Sequence, residues 1–233
     1  NVYGQLIEGD VIHVDFHSVA LKISKVGEDV HIAEVISPGK VGSNKAINID
    51  RDIELSPVTE KDIEAFEIGK SMGVENYSLS FTNSAEDVRI VRDIIGKSNL
   101  ISKIESIKGV LNLAEILPLV DQILIDRGDL SREVEIEKIP FIQRRIIAHA
   151  KSKNTPVYVA TNLLESMIHY HVPTRAEVND IASTLLMGAD GLVLAAETAI
   201  GKYPVQTVEM VNAVIKQFNR WTPASSSRDI IFN

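Results

Sequence analysis

The feature that most constrains the fold is a five-fold repetition in which a short apolar run is followed by a helical pattern. The apolar runs are NYSLSF (76–81), NLISKI (99–104), QILID (122–126), PVYVA (156–160) and DGLVLAAE (190–197). Runs of this kind are typical of strands that are buried on both faces, as in a parallel sheet. The alternation therefore predicts an α/β fold, either an open doubly wound sheet or a (β/α)8 barrel of the TIM type.

The count of strands and the loop after the first of them bear on this choice. A dinucleotide-binding fold carries a glycine-rich phosphate loop after its first strand, and no such loop follows NYSLSF. A closed barrel needs eight strands, three more than the five βα units here. Open sheet edges favour association. We therefore expect an oligomer or a piece of a larger chain, and the first residue, Asn rather than Met, agrees with this expectation.

Three segments with different patterns are visible along the chain. Residues 1–50 contain DVIHVDF and VALKISKV, whose apolar and polar residues alternate as in half-buried strands, so we predict a small all-β piece. Residues 51–222 hold the βα repetition, and residues 223–233 form a tail. Within the repetition, Thr59 and Ser84 are predicted helix N-caps, and one long helix is predicted over 134–154.

Composition excludes some classes of function. The net charge of −8 argues against a nucleic-acid partner, which usually requires a basic face. No apolar stretch approaches the roughly 20 residues of a membrane-spanning helix, and the N-terminal residues lack a signal-peptide pattern. With no cysteine in the chain, a reducing compartment is favoured, and we expect a cytoplasmic location.

Polar residues at the carboxyl ends of the predicted strands form the candidate site, because barrel enzymes place their catalytic residues there. Glu105 and Asp129 follow successive strands, and two carboxylates at one edge favour a hard divalent cation such as Mg²⁺ or Mn²⁺. Lys103 lies two residues before Glu105 and so points to the same face. A lysine there can neutralise a developing oxyanion, and Thr161 ends the next strand.

Structural roles for the same residues remain open from the sequence alone. Lys103 and Glu105 could form a plain ion pair, and Arg127-Gly128-Asp129 has the composition of a common turn. The occurrence of such groups at three consecutive strand ends favours a site over these alternatives. Glu197, at the end of the fifth strand, is equally compatible with a cap of the next helix.

The motifs of the chain resemble those of the pyruvate kinase family, in order and spacing. The matching segments are SKIESIKGV, IDRGDLS, ATNLLESMI, PTRAEVNDIASTLLMGAD and AETAIGKYP, with GSNKAIN at the end of the small β piece. The resemblance extends over about residues 8 to 215. It implies a (β/α)8 barrel with a β lid and transfer of a phosphoryl group between phosphoenolpyruvate and ADP, through a Mg²⁺-stabilised enolate.

The resemblance also implies roles for individual residues. Lys103 and Thr161 would be catalytic, and Glu105 and Asp129 would ligate Mg²⁺ or Mn²⁺. The implied substrate contacts are Arg127, Gly128, Asp129 and Thr161, and Lys45 of the lid would lie near the nucleotide. K⁺ is also implied, although the strands that usually carry its ligands are absent from this chain, as are the family's first three barrel strands and C-terminal domain.

The chain departs from the family pattern near the implied substrate. The residue before Arg-Gly-Asp is usually a small alanine, and here it is Asp126. Like charges about 4 Å apart repel by several kcal/mol at the dielectric of a protein surface, so Asp126 is expected to disfavour a substrate carboxylate. Ser131, Ala195 and Ala196 are further departures.

Three functions are therefore consistent with the sequence. The first is a phosphotransferase of the pyruvate kinase type, and the second a divalent-metal-dependent lyase or aldolase for another 2-keto acid. The third is a non-catalytic, pyruvate kinase-like domain of a larger protein. We expect an enzyme of the first type.

Overall fold

The computed structural model describes residues 2–15, 18–43, 45, 47–51, 53 and 55–232. The chain divides into two compact units, Asn1–Ser56 and Pro57–Asn233. Among the described residues, no helix has both the length and the apolar character required to cross a bilayer.

The first unit is a four-stranded antiparallel sheet, preceded by a 3-10 turn at Tyr3–Gln5. Its strands are β1 (Val11–Val14), β2 (Val19–Lys25), β3 (Ile32–Ser37) and β4 (Ile47–Ile49), in the order β3-β2-β1-β4. Alternate residues of β1 point into a small core with Val19 and Ile23. This is the period-two burial that the sequence predicts for half-buried strands.

The second unit is built on a five-stranded parallel sheet in chain order. Its strands are β5 (Asn76–Leu79), β6 (Asn99–Ile104), β7 (Gln122–Asp126), β8 (Val157–Ala160) and β9 (Gly191–Val193). Successive strands pair in parallel register, so all their carboxyl ends lie at one edge. Within the described part of the chain this sheet does not close, which confirms the prediction of an incomplete (β/α)8-type barrel.

Helices connect the strands and complete the second unit. They are α1 (Glu60–Ser71), α2 (Ala85–Ile95), α3 (Ile107–Leu111), α4 (Leu113–Ile116), α5 (Arg127–Leu130), α6 (Ile139–Ser152), α7 (Arg175–Leu186), α8 (Ala196–Ala199), α9 (Pro204–Arg220) and α10 (Ser227–Phe232). Short 3-10 turns lie at Leu117–Leu119, Ile136–Lys138 and Glu165–Ile168.

The predicted capping residues are confirmed, and one predicted boundary is wrong. Thr59 and Ser84 each accept a hydrogen bond from the backbone three residues on, in reciprocal capping boxes. The long helix predicted over 134–154 begins only at Ile139, because Glu135 has an extended ψ of 137° and a separate 3-10 turn follows it. Pro140 then lies in the first turn of α6, where proline is tolerated.

The core of the second unit lies under the middle strands. Leu100 and Ile104 of β6, Ile123 and Ile125 of β7 and Val157 of β8 have no exposed surface. Burying side chains of this size stabilises the fold by about 1.5–3 kcal/mol each, relative to leaving them in water. The strands that carry the candidate site are therefore the most firmly packed part of the sheet.

Candidate active site

The carboxyl edge of the parallel sheet carries predicted site residues from three strands, together with Asp126, which was not among the predicted site residues. Lys103 belongs to β6 and Glu105 follows it, Asp126 is the last residue of β7, and Thr161 follows β8. Asp126 is paired in register with Ala160, so it lies beside the start of the Thr161 loop. Parallel pairing, rather than any contact in sequence, places these groups at one edge.

Three carboxylates cluster at this edge. Glu105, Asp126 and Asp129 each offer an oxygen atom, and these atoms lie within 4.8 Å of one another. The sequence analysis predicts Glu105 and Asp129 as metal ligands, whereas it expects Asp126 only to disfavour a substrate carboxylate. A signal for Asp126 was present, since its spacing of three from Asp129 is that of an N-cap, and Asp126 caps the single turn of α5.

Lys103 is the cation that pairs with Glu105 and Asp126. Its Nζ lies 2.8 Å from Oε2 of Glu105 and 3.2 Å from Oδ2 of Asp126. Burial by itself lowers the pKa of Lys103, but the hydrogen bond and attraction of Glu105, with those of Asp126, outweigh it and raise the pKa above its ordinary value. Lys103 therefore stays charged beside Glu105 and Asp126, whereas the third carboxylate, Asp129, has an oxygen 3.1 Å from Nη2 of Arg132.

Glu105 is fully buried, and its two oxygen atoms differ. Oε1 accepts a 2.6 Å hydrogen bond from the backbone N–H of Phe81, whereas Oε2 lies 2.8 Å from Nζ of Lys103 and has no further partner among the described residues. Burial raises the pKa of Glu105 above its ordinary value, although Lys103 and the Phe81 N–H act in the opposite direction. A buried oxygen with unused lone pairs, beside two further carboxylates, fits the all-oxygen donor set of Mg²⁺ or Mn²⁺.

Asp126 links the cluster to the next strand. Its Oδ1 accepts a 2.6 Å hydrogen bond from Oγ1 of Thr161. Burial raises the pKa of Asp126, but that hydrogen bond and the charge of Lys103 outweigh burial, so the pKa lies below its ordinary value. Asp126 is therefore an ionised carboxylate at neutral pH.

Strained backbone is concentrated at the carboxyl edge. Of the five described residues other than glycine with positive φ, three follow strands here: Phe81 (49°), Thr161 (75°) and Asn162 (56°). Positive φ is rare for a β-branched residue such as Thr161, and each such residue costs on the order of 1–3 kcal/mol. Strain of this kind persists only where the surrounding contacts hold the backbone in place.

Gly128 and Arg127 provide such contacts to Thr161. A Cβ on Gly128 would lie 2.7 Å from Cγ2 of Thr161, so only glycine permits this approach. The Nη2 of Arg127 donates a 2.6 Å hydrogen bond to the Thr161 carbonyl, and its Nη1 lies 2.6 Å from Oδ2 of Asp180. These contacts give Arg127 a positioning role, and its predicted contact with substrate stays a prediction.

Two other residues singled out from the sequence are Glu197 and Lys45. Glu197 is buried and accepts hydrogen bonds from the backbone N–H groups of Leu164 and Ala195, which is a structural role. Lys45 belongs to the first unit, where its Nζ lies 3.1 Å from Oδ2 of Asp15. Its predicted role near a nucleotide stays a prediction.

Comparison with known proteins identifies the family. The family described as "Pyruvate kinase, barrel domain" matches residues 1–208. The chain is 36% identical to a pyruvate kinase of Mycobacterium tuberculosis and 37% identical to one of Thermotoga maritima, over 90% of this chain and 45% and 46% of those proteins. It is 37% identical to a chloroplastic pyruvate kinase isozyme G of Nicotiana tabacum, over 88% of this chain and 38% of that protein. The chain thus spans less than half the length of these relatives, and it belongs to the pyruvate kinase family.

Proposed function

We propose that this chain supplies the metal-binding and phosphoryl-binding edge of a pyruvate kinase-type phosphotransferase, which converts phosphoenolpyruvate and ADP to pyruvate and ATP. The observation that carries the proposal is the position of Lys103 beside Glu105 and Asp126, with Asp129 in the same cluster, at the ends of two adjacent parallel strands. The names of the matched relatives support the same activity.

Each residue of the cluster has a defined task in this proposal. Glu105 and Asp129 would hold Mg²⁺ or Mn²⁺, which when bound polarises phosphoryl and enol oxygens. The Lys103 ammonium, fixed by its ion pairs, would neutralise the charge that develops on the enol oxygen as the phosphoryl group leaves. The Thr161 hydroxyl, held by strained backbone, would orient the substrate at the same edge.

Further properties of the complete enzyme belong to the same proposal. K⁺ as a second cation, ADP or ATP as nucleotide, and assembly into an oligomer are expected from the family. The two open edges of the five-stranded sheet support association with further strands, from the same protein or from another chain. The cytoplasmic location stays a prediction, since one matched relative is named as chloroplastic.

A calorimetric titration with Mn²⁺ tests the proposal, with and without phosphoenolpyruvate. We expect binding by the wild type, loss of binding in Asp129→Ala, and tighter binding when phosphoenolpyruvate is present. Asp93→Ala is a matched control, because Asp93 is an exposed carboxylate on α2 and should leave Mn²⁺ binding unchanged. A wild type that binds no Mn²⁺ would contradict the proposal.

A second candidate function is favoured by Asp126. A carboxylate beside Lys103 and Thr161 changes the surroundings of any bound acid, which would suit a metal-dependent lyase or aldolase for another 2-keto acid. Mn²⁺ binding that phosphoenolpyruvate leaves unchanged, but that a different 2-keto acid tightens, would favour this second function over the first.

A further inference from the structure

Arg132 is a cation at the carboxyl edge that has no role in the proposed function. Its Nη2 lies 3.1 Å from Oδ1 of Asp129, three residues earlier in the chain. Both side chains are largely buried, with 15% of Arg132 and 22% of Asp129 exposed. Asp129 also contributes an oxygen atom to the carboxylate cluster with Glu105 and Asp126. A guanidinium group therefore already lies against a carboxylate that the proposed function assigns to the metal.

Packing on both sides of Arg132 fixes the position of its backbone. Leu130 is fully buried and Val134 nearly so, and both belong to a small apolar cluster with Ile139. The backbone N–H of Arg132 donates a 3.0 Å hydrogen bond to the Asp129 carbonyl, so the two residues belong to one tight turn. Because these contacts anchor the backbone, Arg132 leaves Asp129 by rotation of its side chain rather than by movement of the turn.

We propose that Arg132 is a built-in competitor of the divalent cation, so that a metal binds Asp129 at the expense of the Arg132 ion pair. Guanidinium groups and divalent cations both bind carboxylate oxygens, and two cations on one carboxylate repel each other. Arg132 thereby sets how tightly the carboxyl edge holds its metal. The inference rests on the proposed function for the assignment of Asp129 as a metal ligand.

Arg132 has two effects on a bound metal, and they have opposite signs. It holds the Asp129 carboxylate in place, which favours metal binding, but a partly exposed ion pair of this kind changes an equilibrium constant by about fivefold at most. It also repels the metal, and repulsion between a single and a double charge on one carboxylate is worth at least about tenfold at the dielectric of a protein surface. Removal of the guanidinium charge should therefore tighten metal binding.

Calorimetric titration of the full chain with Mn²⁺ tests the inference on the wild type, Arg132→Gln and Arg132→Lys. Glutamine removes the charge and keeps a polar side chain, whereas lysine keeps the charge. Arg89→Gln is a matched control, because Arg89 on α2 also lies 3.1 Å from a carboxylate three residues earlier, that of Glu86. We expect Mn²⁺ binding to be at least about tenfold tighter in Arg132→Gln, and close to that of the wild type in Arg132→Lys and Arg89→Gln.

A second measurement follows the guanidinium group itself. In the NMR spectrum of protein that carries ¹⁵N-labelled arginine, the Nε–H signal of Arg132 is assigned by its absence from Arg132→Lys. Asp129→Ala removes the ion pair, so this signal should lie at a new position in that variant. We expect saturation with Mg²⁺, which is diamagnetic, to move the wild-type signal towards the same position.

Two results would overturn the inference. The first is Mn²⁺ binding by Arg132→Gln that is equal to or weaker than binding by the wild type, and the second is an Arg132 signal that bound Mg²⁺ leaves unmoved. Failure of the proposed function is distinguishable, because it appears as a wild type that binds no Mn²⁺ or binds it no better than Asp129→Ala. Mn²⁺ binding by Arg132→Gln alone would contradict the proposed function of the wild type and still support the inference.

Discussion

Acidic and basic residues lie at both the amino and the carboxyl edge of the parallel sheet, but they have different roles at the two edges. At the amino edge, Asp121 accepts the Leu100 N–H at 2.7 Å and pairs with Arg92, while Asp190 accepts the Val157 N–H at 2.9 Å and pairs with Lys151. Each of these aspartates directly precedes one strand and accepts a backbone N–H from the start of the preceding strand.

The carboxyl edge has a surplus of acceptors instead. Glu105, Asp126 and Asp129 lie together with only Lys103 and Arg132 as their cationic partners in the described part of the chain, and Oε2 of Glu105 has no partner there other than Lys103. A carboxylate accepts about four hydrogen bonds, so one whose sites are filled by protein donors serves the fold, whereas one with sites left over can also bind a cation. The two edges teach that the balance of donors, rather than the presence of acidic residues, distinguishes a structural aspartate from a candidate ligand.

The largest expected effect is a loss of metal binding when a carboxylate is changed at the carboxyl edge but not at the amino edge. Glu105→Gln removes the charge of a fully buried, proposed metal ligand but keeps its size, so we expect Mn²⁺ affinity to fall at least about 100-fold, because loss of a group that merely supports a ligand already costs about 10–100-fold. Calorimetric titration measures this loss. Asp190→Asn at the amino edge is the matched control, and an equal loss of Mn²⁺ affinity there would refute the distinction between the edges.

The next effect concerns the strained packing at the carboxyl edge. Gly128→Ala places a methyl group 2.7 Å from Cγ2 of Thr161, and overpacking of this kind destabilises by about 1–3 kcal/mol. Urea unfolding measures the change in the free energy of unfolding. Thr161→Ser removes the opposing Cγ2, so the alanine should cost clearly less in that background, and equal costs in the two backgrounds would rule out the clash.

A smaller effect is expected from the amino edge. Asp121→Ala leaves the buried Leu100 N–H without its acceptor and Arg92 without its ion pair, which should destabilise by about 1–2 kcal/mol, since the Asp121 side chain is partly solvated. Urea unfolding gives the value, and the Mn²⁺ affinity of the same variant should equal that of the wild type. A fall in Mn²⁺ affinity would mean that the two edges are not independent.

The sequence predicts the sheet better than it predicts the site. Short apolar runs locate β6 and β7, although only alternate residues of these strands are fully buried and the residues between them are half-buried. Thr59 and Ser84 cap helices through contacts three residues away, which a local pattern reveals. The position of Lys103 beside Glu105 follows likewise from the two-residue period of a strand.

The features of the site that could not be predicted from the sequence depend on contacts between residues that are far apart in the chain. The hydrogen bond from Thr161 to Asp126 joins residues 35 positions apart, and Arg127 reaches Asp180 across 53 positions. The positive φ of Thr161 is also invisible in sequence, because threonine rarely adopts it and only the surrounding contacts impose it. The predicted start of α6 is wrong for a local reason, since an apolar pattern continues through the extended residue Glu135.

The smallest effect sharpens the comparison through pH. Burial raises the pKa of Asp121, but the hydrogen bonds from Arg92 and the Leu100 N–H outweigh burial, so the folded pKa lies below its ordinary value of 3.8. A lowered folded pKa contributes stability that is present above the unfolded value and is lost as pH falls through the folded pKa. We expect the free energy of unfolding to decline below about pH 4 in the wild type, and less steeply in Asp121→Asn, which cannot titrate.

Because the Asp121 side chain is 47% exposed, solvent screening keeps the difference in stability between wild type and Asp121→Asn below the loss caused by Asp121→Ala at neutral pH. If the free energy of unfolding declines equally steeply at acid pH in the wild type and in Asp121→Asn, titration of Asp121 adds nothing to acid sensitivity. The contribution of Asp121 to stability would then come from its hydrogen bond with the Leu100 N–H alone.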